Sequence, residues 1–271
     1  MNLKLFPGRV STKVSTKSNN RVMKREERRL QQNQIRKNKR DEAIDKKRKL
    51  GGLTKSAPFL TCFVALNEFI DINSALAVIE SCEEDAIVNK SNPNITYLKS
   101  LRLKQRFTFV QANYENELKA LDLLKVCDST VFLVSAATGD DFIDKGGEKF
   151  LNLALSQGIP TPLIALMDLE SIAPKKRTQF KNDVQKLLNN HFPEEKLMTL
   201  DKASDGLNML RRIGGQKRNT IHNKENRAHL YAEKAEYNEG TLKVTGYLRS
   251  IPFNVNGLVY VPELGTFQIS Q

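Results

Sequence analysis

Apolar positions gather into short dense runs between residues 58 and 215 and thin out on either side. Phe59–Leu66 (FLTCFVAL) is almost continuous in apolar, β-branched and aromatic residues, the pattern of a strand covered on both faces. Shorter runs at Phe107–Gln111, Thr130–Ser135 (TVFLVS), Pro162–Met167 and Leu197–Leu200 predict further strands. Between them the spacing changes to that of amphipathic helices. Asn73–Cys82 sets Leu76, Ala77 and Ile79 inward, and Glu115–Val126 carries Leu118, Leu121 and Leu124. Gly146–Gln157 is a third helix, ended by Gly158, and Pro174–Asn190 a long fourth with Pro174 near its first turn. Ser204–Ile213 is the last, with Ser204 as its expected cap. Such alternation predicts a mostly parallel sheet with helices on both faces. Residues 56–215 are therefore read as one doubly wound α/β domain.

The flanks differ. Residues 1–21 are polar, contain Pro7-Gly8 and predict no structure of their own. Residues 22–49 lack Gly and Pro and favour Arg, Lys, Glu, Gln and Ala, so they predict a helix. Its apolar residues (Val22, Met23, Leu30, Ile35, Ala43, Ile44) are too sparse for a core stripe. Gly51-Gly52 terminates it. Beyond Gly214-Gly215, Gln216–Ala235 is polar and reads as helical in part. Thr241–Arg249, Gly257–Val261 and Phe267–Ile269 then read as short strands of a β-barrel or sandwich, too few to close a barrel, so the chain either stops inside a domain or pairs these strands with something else. The expected organisation is an arm at 1–55, the α/β domain at 56–215, and an incomplete domain of short strands at 216–271.

Charge sharpens this division. Residues 1–55 hold 18 Lys or Arg against 5 Asp or Glu, whereas the rest of the chain holds 25 against 26. The whole +12 surplus of the protein therefore lies in the arm. A cationic arm on a neutral body points to a polyanionic partner such as nucleic acid. Arg25, Arg28, Arg29, Arg36, Lys37, Arg40, Lys46, Lys47 and Arg48 are the residues expected to hold such a polyanion, for a nucleic acid such as RNA chiefly at its phosphates. A nuclear-localisation run or a solvated charged helix explains the same residues. Mean hydropathy is −0.46, and no run of about 18 apolar residues occurs, so neither a membrane-spanning helix nor a membrane partner is expected. Cys62, Cys82 and Cys127 have no CxxC spacing, and His222 and His229 have no cysteine nearby, so no metal site is expected.

An α/β order of this kind invites a phosphate-loop test. Such a loop needs glycines to wrap phosphate, a lysine to neutralise it and a Ser or Thr for magnesium. After the first strand stands Ala65-Leu66-Asn67-Glu68-Phe69-Ile70-Asp71-Ile72-Asn73-Ser74, with no glycine, no lysine and two carboxylates. Glycine is absent from Leu53 to Thr138, so the DxxG turn is missing too, and Gln111-Ala112-Asn113-Tyr114 occupies its place. Of a guanine-reading NKxD, only Asp168 remains, after Ala165-Leu166-Met167. Gly139-Asp140-Asp141 and Asp144-Lys145-Gly146-Gly147 read as a helix-initiating turn, although a phosphate cradle or a divalent-ion loop would use similar residues. No Ser–His–Asp or Cys–His arrangement stands out. The reading is of no enzyme, no catalytic residue, no cofactor and no small-molecule substrate.

Several stretches carry a family resemblance. They are Asp45-Lys46-Lys47-Arg48-Lys49-Leu50-Gly51-Gly52, Leu124 to Val134 (LKVCDSTVFLV), Gln157-Gly158-Ile159-Pro160-Thr161 and His191-Phe192-Pro193. The most specific are Gly240 to Arg249 (GTLKVTGYLR), Asn254 to Val259 (NVNGLV) and Gly265-Thr266-Phe267-Gln268. In this order they resemble the Bms/Tsr family of ribosome-biogenesis factors, and the missing phosphate loop resembles its Tsr branch. The resemblance implies a degenerate P-loop GTPase-like doubly wound sheet with an N-terminal basic helix and, at 216–271, the start of an incomplete translation-factor-like β-barrel domain. It also implies work in small-subunit assembly and pre-rRNA maturation as a non-catalytic rRNA-binding scaffold or placeholder. The implied partners are precursor rRNA and proteins of the pre-small-subunit particle. Nucleus and nucleolus, with passage to the cytoplasm on precursor particles, are the implied locations. Family members continue through further β-barrel domains, so the pattern here stops within the second domain. Two other readings remain open from the residues: a GTP-binding switch with degenerate motifs, and a protein adaptor whose arm serves only for nuclear targeting.

Overall fold

The structure is a computed structural model that describes residues 25–48, 51–53, 56–139, 141–193, 195–219, 221, 224 and 226–270. The chain divides into two compact units, Met1–Arg48 and Lys49–Gln271. In the first, helix α1 (Arg25–Arg48) runs 24 residues, a length of about 36 Å at helical rise. Every residue from Arg28 to Lys39 is exposed, Leu30 and Ile35 included. The helix thus buries no apolar stripe of its own there, in line with its composition.

The second unit is built on a seven-stranded sheet ordered β2-β3-β4-β1-β5-β6-β7. The strands are β1 (Phe59–Ala65), β2 (Ile87–Asn92), β3 (Ile95–Ser100), β4 (Gln105–Ala112), β5 (Ser129–Ser135), β6 (Thr161–Met167) and β7 (Leu197–Thr199). From β4 across to β7 all pairings are parallel, with Cys62 facing Val110 on one side and Thr130 on the other. The pairs β2–β3 and β3–β4 are antiparallel.

Five helices cover this sheet: α2 (Ile72–Glu80), α3 (Glu117–Val126), α4 (Lys145–Gln157), α5 (Arg177–Leu188) and α6 (Ala203–Gly215). Alternation along β1 sorts them. Leu60, Cys62 and Val64 join a cluster with Leu124 of α3, Phe150 and Leu151 of α4, and Val184 and Leu188 of α5. Phe59, Phe63 and Ala65 join the opposite cluster with Leu76 and Ile79 of α2 and Met209, Leu210 and Ile213 of α6. Both faces of the strand are buried, which explains why its sequence shows no polar alternation. On the second face α2 and α6 approach so closely that a Cβ at Gly206 would lie 2.7 Å from the Val78 carbonyl oxygen.

Two antiparallel hairpins follow: β8 (Ala228–Asn238) with β9 (Thr241–Ser250), and β10 (Leu258–Val261) with β11 (Gly265–Gln268). The first turns at Glu239-Gly240, both with positive φ, the geometry that suits the twist of a two-residue hairpin. Its base docks on the α/β body through Tyr231, packed against the first cluster, whereas Tyr237 near the turn is 70% exposed.

The structure corrects several expectations. Of the segment 216–235, read as helical in part, residues 228–235 belong to strand β8, held by cross-strand pairing and the docking of Tyr231. The helix expected at 174–190 is Arg177–Leu188, and Pro174 lies in the turn ahead of it. Helix α6 begins at Ala203, so Ser204 is not its cap. Asp205, inside the first turn, accepts instead from the backbone N–H of Lys202 at 3.3 Å. Residues 1–21 and the end of the basic segment at Lys49-Leu50 lie outside the described residues.

Candidate functional site

In an open parallel sheet, ligands bind beyond the carboxyl ends of the strands. Here the loop after β1 uses its own amides. Leu66 N–H continues the ladder by donating to Leu133 O at 3.1 Å. Asn67, only 3% exposed, donates through Nδ2 to Asp141 O (2.8 Å) and accepts Phe69 N–H (3.0 Å). Ile70 N–H returns to Asn67 O at 3.2 Å, and Glu68 N–H goes to the Asp144 carboxylate at 2.9 Å. Asp71 then caps α2, accepting from Asn73 N–H (3.0 Å), Ser74 N–H (3.2 Å) and the Ser74 hydroxyl (2.8 Å). The Ser74 hydroxyl is the chief cause holding the Asp71 carboxyl below its ordinary value. A helix N-terminus that would attract phosphate carries a protein carboxylate instead.

The loop after β4 is tied to this one. Gln111 Nε2 donates to Asn73 Oδ1 at 2.8 Å, and the Tyr114 hydroxyl donates to Asp144 Oδ2 at 2.5 Å. Asp144 also caps α4, taking Gly147 N–H at 2.6 Å. Burial works to raise the Asp144 carboxyl, but the bonds from Gly147, Tyr114 and Glu68 outweigh it, and the group sits below the usual carboxylate range. Burial, then the bond to Asp144, pushes the Tyr114 phenol well up. Gly146-Gly147 fall in the first turn of α4, as the helix-initiating reading expected. Asp168 ends β6 in the left-handed region (φ +59), and its carboxylate accepts the Ser135 hydroxyl. The one residue that matched a guanine-reading motif is thus engaged within the protein. Asp140 and His222 lie outside the described residues, and among those described no group of three His, Cys, Asp or Glu is placed to hold a metal ion.

The candidate RNA-binding residues all fall on α1 or its end. Arg28, Arg29, Arg36 and Lys37 are exposed. Arg25, Arg40, Lys46, Lys47 and Arg48 occupy positions on the same helix, with side chains outside the described residues. At about 100° per residue, positions 25, 29, 36, 40 and 47 fall within an arc of about 60°. Five of the basic positions thus fall on one side of the helical backbone. Among the described residues no helix is long and apolar enough to cross a membrane.

Sequence reasoning missed the charge cluster at the opposite, amino end of the sheet. Asp128, 8% exposed, accepts Leu60 N–H at 3.0 Å and is paired with Arg249 of β9. Lys224 stands 3.7 Å away and donates to Val126 O at the end of α3. Burial lowers the Lys224 amine, partly offset by Asp128. Arg249 also donates to Pro58 O at 2.9 Å, so one side chain ties the hairpin to the entrance of β1. An Asp immediately before a core strand was the only signal, and no spacing pairs it with residues 96 and 121 positions away.

Comparison with known proteins agrees with this picture. The family described as "Tsr1, G-like domain" matches residues 62–215, and the AARP2CN (NUC121) domain matches residues 217–271. A "Pre-rRNA-processing protein TSR1 homolog" of Drosophila melanogaster is 48% identical over 97% of this chain and 34% of its own length. The Xenopus laevis protein of the same name is 31% identical, over 97% and 33%. The chain therefore spans about a third of the length of these relatives. Among solved structures, the bacterial selenocysteine-specific elongation factor EF-Sec superposes with TM-score 0.54 at 12% identity, over 79% of this chain and 38% of that one. SelB from Methanococcus maripaludis gives 0.52 at 13%, over 77% and 45%. Those likenesses establish a translational-GTPase-like fold. With its G-like body, its following AARP2CN segment and its loops closed on themselves, the chain belongs to the Tsr1 family.

Proposed function

We propose that this chain acts in pre-rRNA processing during small-subunit assembly, as a non-catalytic RNA-binding scaffold. Its relatives are named for pre-rRNA processing and ribosome biogenesis, which supports the process, and the nucleus and nucleolus are where it would operate. The observation that carries the reading is a separation of roles. The cations are concentrated on a helix without a core, while the loop amides a nucleotide would need are spent inside the protein. Arg25, Arg28, Arg29, Arg36, Lys37, Arg40, Lys46, Lys47 and Arg48 would neutralise phosphates of precursor rRNA and release counterions. The body, shaped like a translational GTPase but without its ligand, would act as a placeholder against proteins of the precursor particle. A GTP-driven switch finds no comparable support, because no lysine or glycine stands in the loop after β1.

The test is RNA binding by the intact chain and by a variant with those nine residues changed to Ala, across a salt series. Expected is a loss of more than tenfold at about 0.1 M salt and a shallower dependence of log affinity on log salt. Equal affinity and equal slope would reject the assignment.

A further inference from the structure

In GTPases the γ-phosphate and its magnesium hold the switch loops in place, and hydrolysis releases them. Here the loop at the phosphate-loop position, after β1, and the loop at the DxxG position, after β4, are held by something permanent. Asp144 receives Glu68 N–H from the loop after β1 (2.9 Å), the Tyr114 hydroxyl from the loop after β4 (2.5 Å) and Gly147 N–H from its own helix (2.6 Å). The backbone nearby is equally committed. Asp144 N–H donates to Leu66 O at 3.0 Å, and a Cβ on Gly147 would fall 2.2 Å from that same oxygen. The first turn of α4 is therefore seated directly on the loop after β1. A second bond, from Gln111 at the end of β4 to Asn73 in the first turn of α2 (2.8 Å), joins the elements that flank the two loops.

We propose that Asp144 is a fixed stand-in for the terminal phosphate of a nucleotide: one internal carboxylate ties the loops after β1 and β4 together in a single arrangement. The carboxylate supplies what a phosphate would supply, an anion with several acceptor lone pairs shared among donors from separate elements. It differs in being covalently part of α4. The arrangement cannot be released by hydrolysis, and the surface these loops form is constant. The inference stands apart from RNA binding, since α1 takes no part in it.

Amide hydrogen exchange on the intact chain tests it, with Tyr114→Phe and Asp144→Asn as variants. Tyr114→Phe removes one hydroxyl and keeps the ring, so folding is retained. Expected is exchange at least tenfold faster at residues 113–117 in Tyr114→Phe. Asp144→Asn should extend the loosening to Glu68 and Gly147, with the amides of β1 and β5 unchanged in both. Wild-type exchange rates at Glu68 and at 113–117 in both variants would overturn the proposal. So would altered exchange at residues 66–71 when magnesium and GTP are added to the wild type, because the loop amides would then yield to a real phosphate.

Discussion

Each end of the central sheet is organised by a single aspartate, and the two do different work. At the amino end Asp128 is buried and faces cations, Arg249 and Lys224, together with the neutral N–H of Leu60. At the carboxyl end Asp144 is half-buried and faces only neutral donors, two backbone N–H groups and a phenol. A carboxylate among dipoles can be exchanged for a neutral acceptor of the same shape at modest cost. Among buried cations it cannot, because its loss strands charges that water does not reach. The two ends also differ in what they join. Asp128 holds the β8–β9 hairpin to the body, whereas Asp144 closes loops of the body upon one another.

The strongest way to break this contrast is Asp128→Ala. It leaves buried Arg249 and half-buried Lys224 without their anion and Leu60 N–H without its acceptor, so we expect a loss of about 3–5 kcal/mol. Urea unfolding followed by fluorescence and circular dichroism measures it. In the cycle with Arg249→Met, the double variant should be less damaged than the sum of the singles, since removing both partners removes the stranded charge. A cost for Asp128→Ala below about 1 kcal/mol would mean that the hairpin is held by Tyr231 and its apolar neighbours alone.

Gly147→Ala probes the other end. The added methyl would meet the Leu66 carbonyl at 2.2 Å, backbone against backbone, so α4 or the β1 loop must shift. Overpacking of this kind costs about 1–3 kcal/mol. Gly215→Ala is the control: its Cβ meets no atom within 4 Å and its φ is not in the left-handed region, so no loss is expected. Urea midpoints that fall equally for the two variants would show that the fit of α4 on Leu66 is not tight.

Much of this contrast was legible in the sequence only as absence. The lack of glycine between Leu53 and Thr138 announced that no phosphate loop was present. What replaced it was hidden, because Glu68, Tyr114 and Asp144 lie 30 to 76 positions apart and meet only through the sheet. Core strands such as Phe59–Ala65 were readable because burial on both faces leaves a continuous apolar run. The edge pair β2–β3 was not read at all. IVNKSN is polar for a strand, Ile87 is 56% exposed, and the turn at Pro93-Asn94 resembles a loop. Helix α1 was legible from composition, since residues of good helix propensity run through it without Gly or Pro.

The smallest effect expected is the pH dependence of Asp144. Its folded carboxyl titrates below the ordinary value near 3.8, because its hydrogen bonds favour the charged form more than burial opposes it. A depressed folded value means that the unfolded chain takes up the proton first as pH falls. The stabilisation from Asp144 is therefore complete above the unfolded value and is lost as pH drops through the folded one. Asp144→Asn keeps the shape, but it has one acceptor oxygen for three donors and no charge to lose. Plotted against pH, the difference in urea midpoint between wild type and Asp144→Asn should be constant from about pH 7 to about pH 5 and should narrow towards about pH 3. Asp71, depressed chiefly by the Ser74 hydroxyl, is present in both proteins and cancels from that difference. A gap that stays flat to low pH would mean that the loops are held by the shape of the side chain, with its charge contributing nothing.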